Sequence, residues 1–250
     1  MNRAFFINFF AMDQLFENYT NEDKEVWNIL FERQFNNLQN KACKAYLNCL
    51  LDLKQELNGN NIPLFSNLNR LLYIKSGWGI EIVPGLIPVD DFFELLAQKK
   101  FCSSTWLRKK SQLDYLEEPD MFHDIFGHIP LLLNNNFGDF AQQLGAIGVQ
   151  HKNNPQILLE LQRLYWFTIE FGVLKSKNKL QIYGAGIISS FKETNGIFDK
   201  NTVILPFNLN EIIATDFNNM EIQTKYFLIK SFEEIKIALN EYKEKLEIHH

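Results

Sequence analysis

The chain has 250 residues, of which 46% are hydrophobic and 14% aromatic, enough for one sizeable hydrophobic core or two small ones. This apolar content, together with a charged fraction of 22%, excludes an intrinsically disordered chain. The formal net charge of −5 argues against a nucleic-acid-binding protein, which would carry a basic surface to neutralise phosphates.

Hydrophobic periodicity predicts a mainly helical chain with a few short strands. Amphipathic helices are predicted over Asn21–Leu38, Lys41–Leu57 and Phe232–Leu246. Strands of four or five residues are predicted at Gly79–Val83, Lys179–Tyr183, Thr202–Leu205 and Lys225–Ile229. Strands this short between many helices do not form a doubly wound sheet. The expected fold class is therefore mainly α (α+β), with one helical domain over residues 19–250 that carries small β-ribbons.

The N-terminal residues 1–18 are interpreted as an arm that packs on this domain or frays. Its apolar stretch Ala4–Met12 is too short to cross a bilayer, which takes roughly 20 apolar residues, and no small-residue cleavage site follows it. The cysteines Cys43, Cys49 and Cys102 are odd in number and contain no CxxC pair. A disulfide framework is not expected, and the chain is predicted to be cytoplasmic.

Two histidines, His123 and His128, lie five residues apart in a segment that runs from Asp120 to Pro130. Residues five apart on an α-helix point about 140° away from each other, so a regular helix would separate them. We expect a helix capped by Asp120 to end at Phe126, with Gly127 in a left-handed turn that lets the two imidazoles converge. Two ordinary histidines near a helix end are the alternative.

A third metal ligand would have to be a carboxylate, because no cysteine lies nearby in the sequence. Glu170 is the only charged residue between Leu164 and Leu174, and a lone buried carboxylate must be paired, protonated or bound to a cation. Two histidines and one carboxylate form the facial triad of non-haem Fe(II) oxygenases, although zinc hydrolases use the same ligands. A buried ion pair with Arg108 or Arg163 is the alternative interpretation.

Two further segments could carry chemistry. Tyr183–Ser189, YGAGIIS, follows a predicted strand, but it lacks the third glycine and the later acidic residue of a dinucleotide-binding motif. Its glycines are interpreted as sites of close packing. Arg108 follows Trp106 and Leu107, so apolar packing could anchor it and present its guanidinium to a carboxylate.

Several of these segments together resemble the pterin-dependent aromatic amino acid hydroxylases. The matching motifs, in order, are Asp114–Asp120 (DYLEEPD), His123–Asp124, Gly127–His128, Tyr165–Gly172 (YWFTIEFG), Tyr183–Gly186 (YGAG) and Ser189–Phe191 (SSF). The LDYLEEPD form of the first motif and PGLIP at Pro84–Pro88 are most similar to bacterial, phenylalanine-hydroxylating members. The resemblance extends from about Tyr19 to Tyr242, nearly the whole chain.

The resemblance implies a role for each matching residue. Fe(II) would be bound by His123, His128 and Glu170. His123 would be oriented by Asp120 and Ser189. The amino acid substrate would be bound by Arg108, through its carboxylate, and by Trp166, Phe171 and Gly186. The tetrahydropterin would be bound by Gly85, Ile87, Phe92, Asp124 and Tyr165, with Phe92 stacked on the pterin ring.

The implied reaction is the hydroxylation of L-phenylalanine to L-tyrosine by O₂, with Fe(II) and tetrahydrobiopterin or a related tetrahydropterin. Relative to animal members, Leu116 replaces a threonine that helps to hold the substrate carboxylate, and Val89 replaces a serine that contacts the pterin. The chain resembles the catalytic domain alone, so a monomer without regulation by another domain is expected.

Three alternatives to this function remain open on the sequence. The same enzyme class could act on tryptophan or tyrosine, although the apolar Leu228, near a position where tyrosine hydroxylases favour aspartate, leans towards phenylalanine. A zinc hydrolase could use the same three ligands, with Asp124 as its general base. A non-catalytic metal-binding or partner-binding protein is the third.

Overall fold

The computed structural model describes residues 13–114, 116, 118–177, 179–219 and 221–248. The predicted apolar stretch Ala4–Met12 lies outside these residues. Within the described part of the N-terminal arm, the Gln14 side chain donates to the Pro63 carbonyl at 2.9 Å and accepts from the Phe65 amide at 2.8 Å. These bonds hold residues 13–18 on the body of the protein, whereas the domain boundary at residue 18 stays a prediction.

Helices form most of the described structure. In chain order they are α1 (Asn21–Asn37), α2 (Lys44–Asp52), α3 (Phe65–Ser76), α4 (Val89–Ala97), α5 (Asn135–Gln150), α6 (Pro155–Tyr165), α7 (Ala185–Ser189), α8 (Phe191–Gly196), α9 (Leu209–Ala214) and α10 (Phe232–Ile248). Two π-helices, at His123–His128 and Trp166–Glu170, interrupt this series. No helix within the described ranges has the length and apolar composition needed to cross a membrane.

Within the described ranges, six short strands form two small sheets. They are β1 (Gly79–Ile82), β2 (Lys100–Ser103), β3 (Val173–Ser176), β4 (Lys179–Ile182), β5 (Val203–Pro206) and β6 (Lys225–Ile229). β1 and β2 pair in parallel, and the other four lie in the order β4-β3-β6-β5 with only the β3–β4 pair antiparallel. The predicted α+β class is confirmed, although β2 and β3 were not predicted.

The first predicted helix is confirmed and the second is too long. Thr20 and Asp23 bond reciprocally at the start of α1, which is the capping box that stabilises a helix N-terminus. The predicted helix over Lys41–Leu57 begins only at Lys44, because the Cys43 amide donates to the Ile182 carbonyl and the Ile182 amide donates to the Lys41 carbonyl. Residues 41–43 therefore extend the edge of β4, and the helix ends at Asp52.

The hydrophobic core is continuous from α1 to α10 and surrounds α5, which packs against both α4 and α10. Aromatic side chains carry much of it, and Trp27, Phe122 and Phe126 pack ring against ring. Phe122 directly precedes the first π-helix and Phe126 lies within it, and both are fully buried, so the core supports the backbone that carries the two histidines.

Candidate active site

The two predicted histidine ligands lie on a π-helix, and this explains their spacing. A π-helix bonds residue i to residue i+5, so side chains five apart lie close on one face. The His123 and His128 rings are 4.9 Å apart, centroid to centroid. The predicted convergence of the two rings is present, but the predicted route to it, a helix that ends at Phe126, is wrong.

Gly127 does not adopt the predicted left-handed turn, since Gly77 is the only glycine of the described residues with positive φ. Its role is close packing. A Cβ atom at Gly127 would lie 3.0 Å from the Ala185 carbonyl oxygen and 3.1 Å from the Ala185 Cβ. A side chain at position 127 would therefore push α7 away from the π-helix.

Glu170 ends the second π-helix, in which the Phe171 amide donates to the Trp166 carbonyl five residues earlier, at 2.9 Å. Neither arginine considered from the sequence pairs with Glu170. Arg108 pairs with Asp120, and Arg163 pairs with Asp216. The buried ion pair with an arginine is therefore not found, and the Glu170 carboxylate faces the two histidines instead.

Three donor atoms, one from each predicted ligand, lie within 4.8 Å of one another. The Nε2 atoms of His123 and His128 are 3.1 Å apart, and His128 Nε2 lies 3.0 Å from Glu170 Oε1. His123 Nε2 lies 3.7 Å from Glu170 Oε2. Metal–ligand bonds of about 2.1 Å at right angles place neighbouring donors about 3.0 Å apart, so the three groups fit one face of an octahedral cation.

The electrostatics of His123 and Glu170 favour the forms that bind a metal. Burial lowers the pKa of His123 to about 4, so its imidazole is neutral at physiological pH. Burial alone would raise the pKa of Glu170, but the neighbouring His128 and His123 outweigh burial and lower that pKa to about 2. A neutral imidazole beside an ionised carboxylate is the protonation state that a divalent cation requires.

The Ser189 hydroxyl fixes which nitrogen of His123 carries the proton. It donates to the Ala185 carbonyl at 2.8 Å, and its oxygen lies 2.8 Å from His123 Nδ1. Because the hydroxyl proton is used by Ala185, the hydroxyl oxygen accepts from an Nδ1–H group. His123 Nε2 is then unprotonated and presents its lone pair to the other two donors.

Asp120 acts on the backbone of His123 rather than on its ring. Its Oδ1 accepts the His123 amide at 3.1 Å, while both carboxylate oxygens accept from the Arg108 guanidinium at 2.8 Å. Burial alone would raise the pKa of Asp120, but the bonds from Arg108 outweigh it and lower that pKa. Arg108 thus holds the start of the histidine-bearing segment, and it does not line the adjoining cavity.

A cavity of about 250 Å³ opens beside the three donors. Of the residues predicted to contact pterin or substrate, it is lined by Gly85, Ile87, Phe92, Asp124, Tyr165 and Trp166. Phe171 packs behind Trp166, with ring centroids 4.6 Å apart. A Cβ atom at Gly186 would lie 3.3 Å from Glu170 Oε2, so this glycine leaves space next to the carboxylate.

Asp124 lies at the polar end of the cavity. It is 9% exposed, and its carboxylate accepts the Ser104 amide at 3.0 Å. Burial raises its pKa well above the usual range of an aspartic acid. A largely buried carboxyl group at a cavity wall can exchange hydrogen bonds with a polar ligand that shields it from water.

The YGAG segment packs rather than binds a nucleotide. A Cβ atom at Gly184 would lie 2.2 Å from the Gly172 nitrogen and 2.4 Å from the Glu170 carbonyl oxygen. Only glycine lets these two backbones approach so closely, as the sequence analysis predicted for this motif. This contact sets the position of the backbone at Glu170.

Several residues that line the cavity were not predicted from the sequence, among them Phe101, Gln162 and Phe217. The Phe101 ring stacks on His128, with centroids 4.3 Å apart, and Phe217 stacks on Trp166 at 4.6 Å. Gln162 lies three residues before Tyr165, one helical turn earlier on the same face. That spacing was a signal in the sequence for Gln162, whereas the two phenylalanines come from distant segments and had none.

Comparison with known proteins agrees with this geometry. A family model described as biopterin-dependent aromatic amino acid hydroxylase matches residues 8–250. The chain is 41% identical over 229 residues to the phenylalanine-4-hydroxylase of Chromobacterium violaceum, which covers 91% of this chain and 76% of that protein. It is 41% identical over 227 residues to the phenylalanine-4-hydroxylase of Ralstonia nicotianae, with coverages of 90% and 72%.

A solved structure extends the similarity to three dimensions. The crystal structure of Chromobacterium violaceum phenylalanine hydroxylase with bound iron(III) and 7,8-dihydrobiopterin has a TM-score of 0.87 and 41% sequence identity to this chain. The match covers 92% of this chain and 83% of that one. With two histidines and a glutamate converging beside the cavity, the chain belongs to the biopterin-dependent aromatic amino acid hydroxylase family.

Proposed function

We propose that the protein is a phenylalanine 4-hydroxylase, which converts L-phenylalanine to L-tyrosine with O₂, Fe(II) and a tetrahydropterin. The observation that carries this proposal is the face of three donors, His123, His128 and Glu170, at the edge of a cavity in a chain of this family. A facial triad leaves the opposite positions of an octahedral metal free for other ligands.

When bound, the iron and the tetrahydropterin supply the electrons and the oxygen activation that the amino acid side chains lack. The protein holds and orients the reactants. His123 and His128 would bind iron through their Nε2 atoms and Glu170 through its carboxylate, with Ser189 keeping the proton of His123 on Nδ1. Exclusion of water by the surrounding aromatic side chains would keep oxidation directed at the substrate ring.

The pterin would lie along the wall formed by Gly85, Ile87 and Phe92, with Asp124 and Tyr165 next to it. A Cβ atom at Gly85 would meet no atom within 4 Å, so the backbone here is open to a ligand. Phe92 meets Tyr165 edge-on at 5.0 Å, which leaves ring faces for a flat heterocycle. The buried carboxyl group of Asp124 would exchange hydrogen bonds with polar atoms of the pterin.

The amino acid substrate would be bound by Trp166, Phe171 and Gly186, and its carboxylate would reach beyond the cavity lining to Arg108. Arg108 uses its Nε and Nη2 groups for Asp120, and its Nη1 group has no hydrogen-bond partner within the described ranges. A guanidinium held from one side can present its other edge to a carboxylate. Leu228 lies in β6 and is not among the residues that line the cavity.

The state and location of the protein are also proposals. We propose a cytoplasmic monomer, which the three unpaired thiols of Cys43, Cys49 and Cys102 and the continuous core around α5 support. Size-exclusion chromatography with light scattering would test the monomer, for which a mass near 29.4 kDa is expected.

The substrate assignment is tested by a panel of amino acids. The protein, loaded with Fe(II) and supplied with tetrahydrobiopterin and air, would be incubated with L-phenylalanine, L-tyrosine or L-tryptophan, and the products separated by chromatography. We expect the highest kcat/KM for L-phenylalanine, with L-tyrosine as the product. A higher kcat/KM for tyrosine or tryptophan would assign the protein to another branch of the family.

The ligand assignment is tested by single substitutions. His123→Gln and His128→Gln each remove an imidazole donor, and Glu170→Gln removes the carboxylate charge. Each should abolish iron-dependent product formation without unfolding the chain. His151→Gln is the matched control, because His151 ends α5 and does not line the cavity, so this variant should retain activity. Retained turnover in one of the first three variants would remove that residue from the triad.

A further inference from the structure

The indole of Trp166, in the proposed amino acid pocket, is held from three sides. Phe217 stacks on one face at a centroid distance of 4.6 Å and an interplanar angle of 20°. Phe171 contacts it at 4.6 Å and 40°. The indole Nε1–H donates to Gln223 Oε1 at 3.1 Å. The two ring contacts are apolar, so the hydrogen bond is the polar contact that fixes the direction of the indole N–H.

Gln223 is itself fixed by its surroundings. Its side-chain Nε2 donates to the Lys225 carbonyl, which orients the amide so that Oε1 faces the indole. Its main-chain amide donates to Glu193 Oε1 at 3.1 Å. The Tyr226 hydroxyl donates to the Gln223 carbonyl at 2.8 Å, and Tyr226 is fully buried. The acceptor presented to Trp166 therefore has a single orientation.

The segment between α9 and β6 is also tied to the ligand-bearing helices at a second point. Arg163, three residues before Trp166, donates to the Ile213 carbonyl at 2.8 Å and forms an ion pair with Asp216. Phe217 follows directly and lines the cavity. Two anchors, Arg163 and Trp166, thus fix the loop that carries Phe217 against the helix that carries Glu170.

We propose that Gln223 is a positioning residue for the amino acid substrate. It would act through Trp166, by holding the indole and the stacked Phe217 ring in the plane that shapes the substrate side of the cavity. This inference deepens the proposed function and rests on it, since it assigns Trp166 to the amino acid. The pterin wall at Gly85, Ile87 and Phe92 has no hydrogen bond to Gln223, so pterin binding should be independent of it.

The test compares two substitutions of Gln223. Gln223→Leu removes the acceptor, and a lost neutral hydrogen bond should raise the KM for L-phenylalanine about five-fold. The KM for tetrahydropterin should stay within about two-fold of wild type, since the pterin wall is untouched. Gln223→Glu keeps an acceptor oxygen for the indole but loses the donor to the Lys225 carbonyl, so its KM for L-phenylalanine should fall between those of wild type and Gln223→Leu. Thr224→Ala, an exposed neighbour in the same segment, is the matched control.

A double-mutant cycle separates this role from a merely structural one. In a Trp166→Phe background there is no indole N–H, so adding Gln223→Leu should change the KM for L-phenylalanine little. Additive effects in the cycle, or equal changes in the two KM values, would overturn the proposal. Wild-type hydroxylation with an unchanged KM in Gln223→Leu would overturn this inference alone. A wild type that hydroxylates no amino acid would overturn the proposed function and this inference with it.

Discussion

Replacement of Ser189 by alanine removes the hydroxyl group that holds the proton of His123 on Nδ1. The Ser189 side chain is 6% exposed, and its oxygen lies 2.8 Å from both His123 Nδ1 and the Ala185 carbonyl oxygen. Without it, an iron-bound His123 would keep a buried Nδ1–H group that has lost its acceptor. Such a loss costs about 1–3 kcal/mol, which falls on the metal-bound state because only that state requires this tautomer.

The iron dissociation constant of Ser189→Ala should therefore rise about 10- to 100-fold. Anaerobic titration with Fe(II) against a competing chelator would measure it, with circular dichroism to establish that the variant is folded. Ser76→Ala is the matched control, because the Ser76 hydroxyl also donates to a carbonyl four residues earlier, at Leu72, but on α3. Its iron affinity should equal that of wild type. A folded Ser189→Ala protein with wild-type iron affinity would refute the role of Ser189.

Three more predictions follow from the buried contacts of the site. Gly184→Ala would place a Cβ atom 2.4 Å from the Glu170 carbonyl oxygen, so we expect about 1–3 kcal/mol of destabilisation and little product formation, measured by urea unfolding and activity. Arg108→Ala would leave the fully buried carboxylate of Asp120 without its ion-pair partner. The free energy of unfolding, measured with urea, should therefore decrease by about 3–5 kcal/mol. Burial lowers the pKa of His123 from 6.5 to about 4, so as the pH falls the imidazole becomes protonated in the unfolded chain before it does in the folded one. The free energy of unfolding of the metal-free protein should therefore decrease by about 2 kcal/mol between pH 7 and pH 5.

Each of these three has a control and a contradicting result. Gly196→Ala would meet its nearest atom at 3.9 Å and should be tolerated, so equal losses at positions 184 and 196 would contradict the packing argument. For the ion pair, a free energy of unfolding of Arg108→Ala within about 1 kcal/mol of wild type would mean that the buried Asp120 side chain is not charged. For the pH effect, His123→Asn should lack this component, and an unchanged pH dependence in that variant would assign the loss to other groups.

The convergence of His123, His128 and Glu170 was accessible from the sequence, whereas the backbone that brings them together was not. The i, i+5 spacing of His123 and His128 contradicts an α-helix, and a glycine turn at Gly127 was the predicted solution. The structure resolves it with a π-helix, which widens the turn and leaves Gly127 as a packing residue. Periodicity distinguishes helix from strand, but it carries no signal for one extra residue within a helical turn.

The local errors have a common cause in contacts between distant segments. Residues 41–43 are extended because they pair with Ile182, which no local pattern announces. The strand β3 was not predicted from the sequence, and it is a strand because it pairs with β4 and β6. Phe101 and Phe217 enter the cavity from β2 and from the loop before β6, so their place in the site depended on the fold.

The central claim is that His123, His128 and Glu170 hold the iron used for hydroxylation. The most direct measurement is tyrosine formation from L-phenylalanine by wild type and Glu170→Gln, each with and without Fe(II) and with and without tetrahydropterin. We predict tyrosine only from wild type, and only when iron and pterin are both present. Tyrosine formation by Glu170→Gln at the wild-type rate, or by wild type after iron has been removed, would contradict the claim.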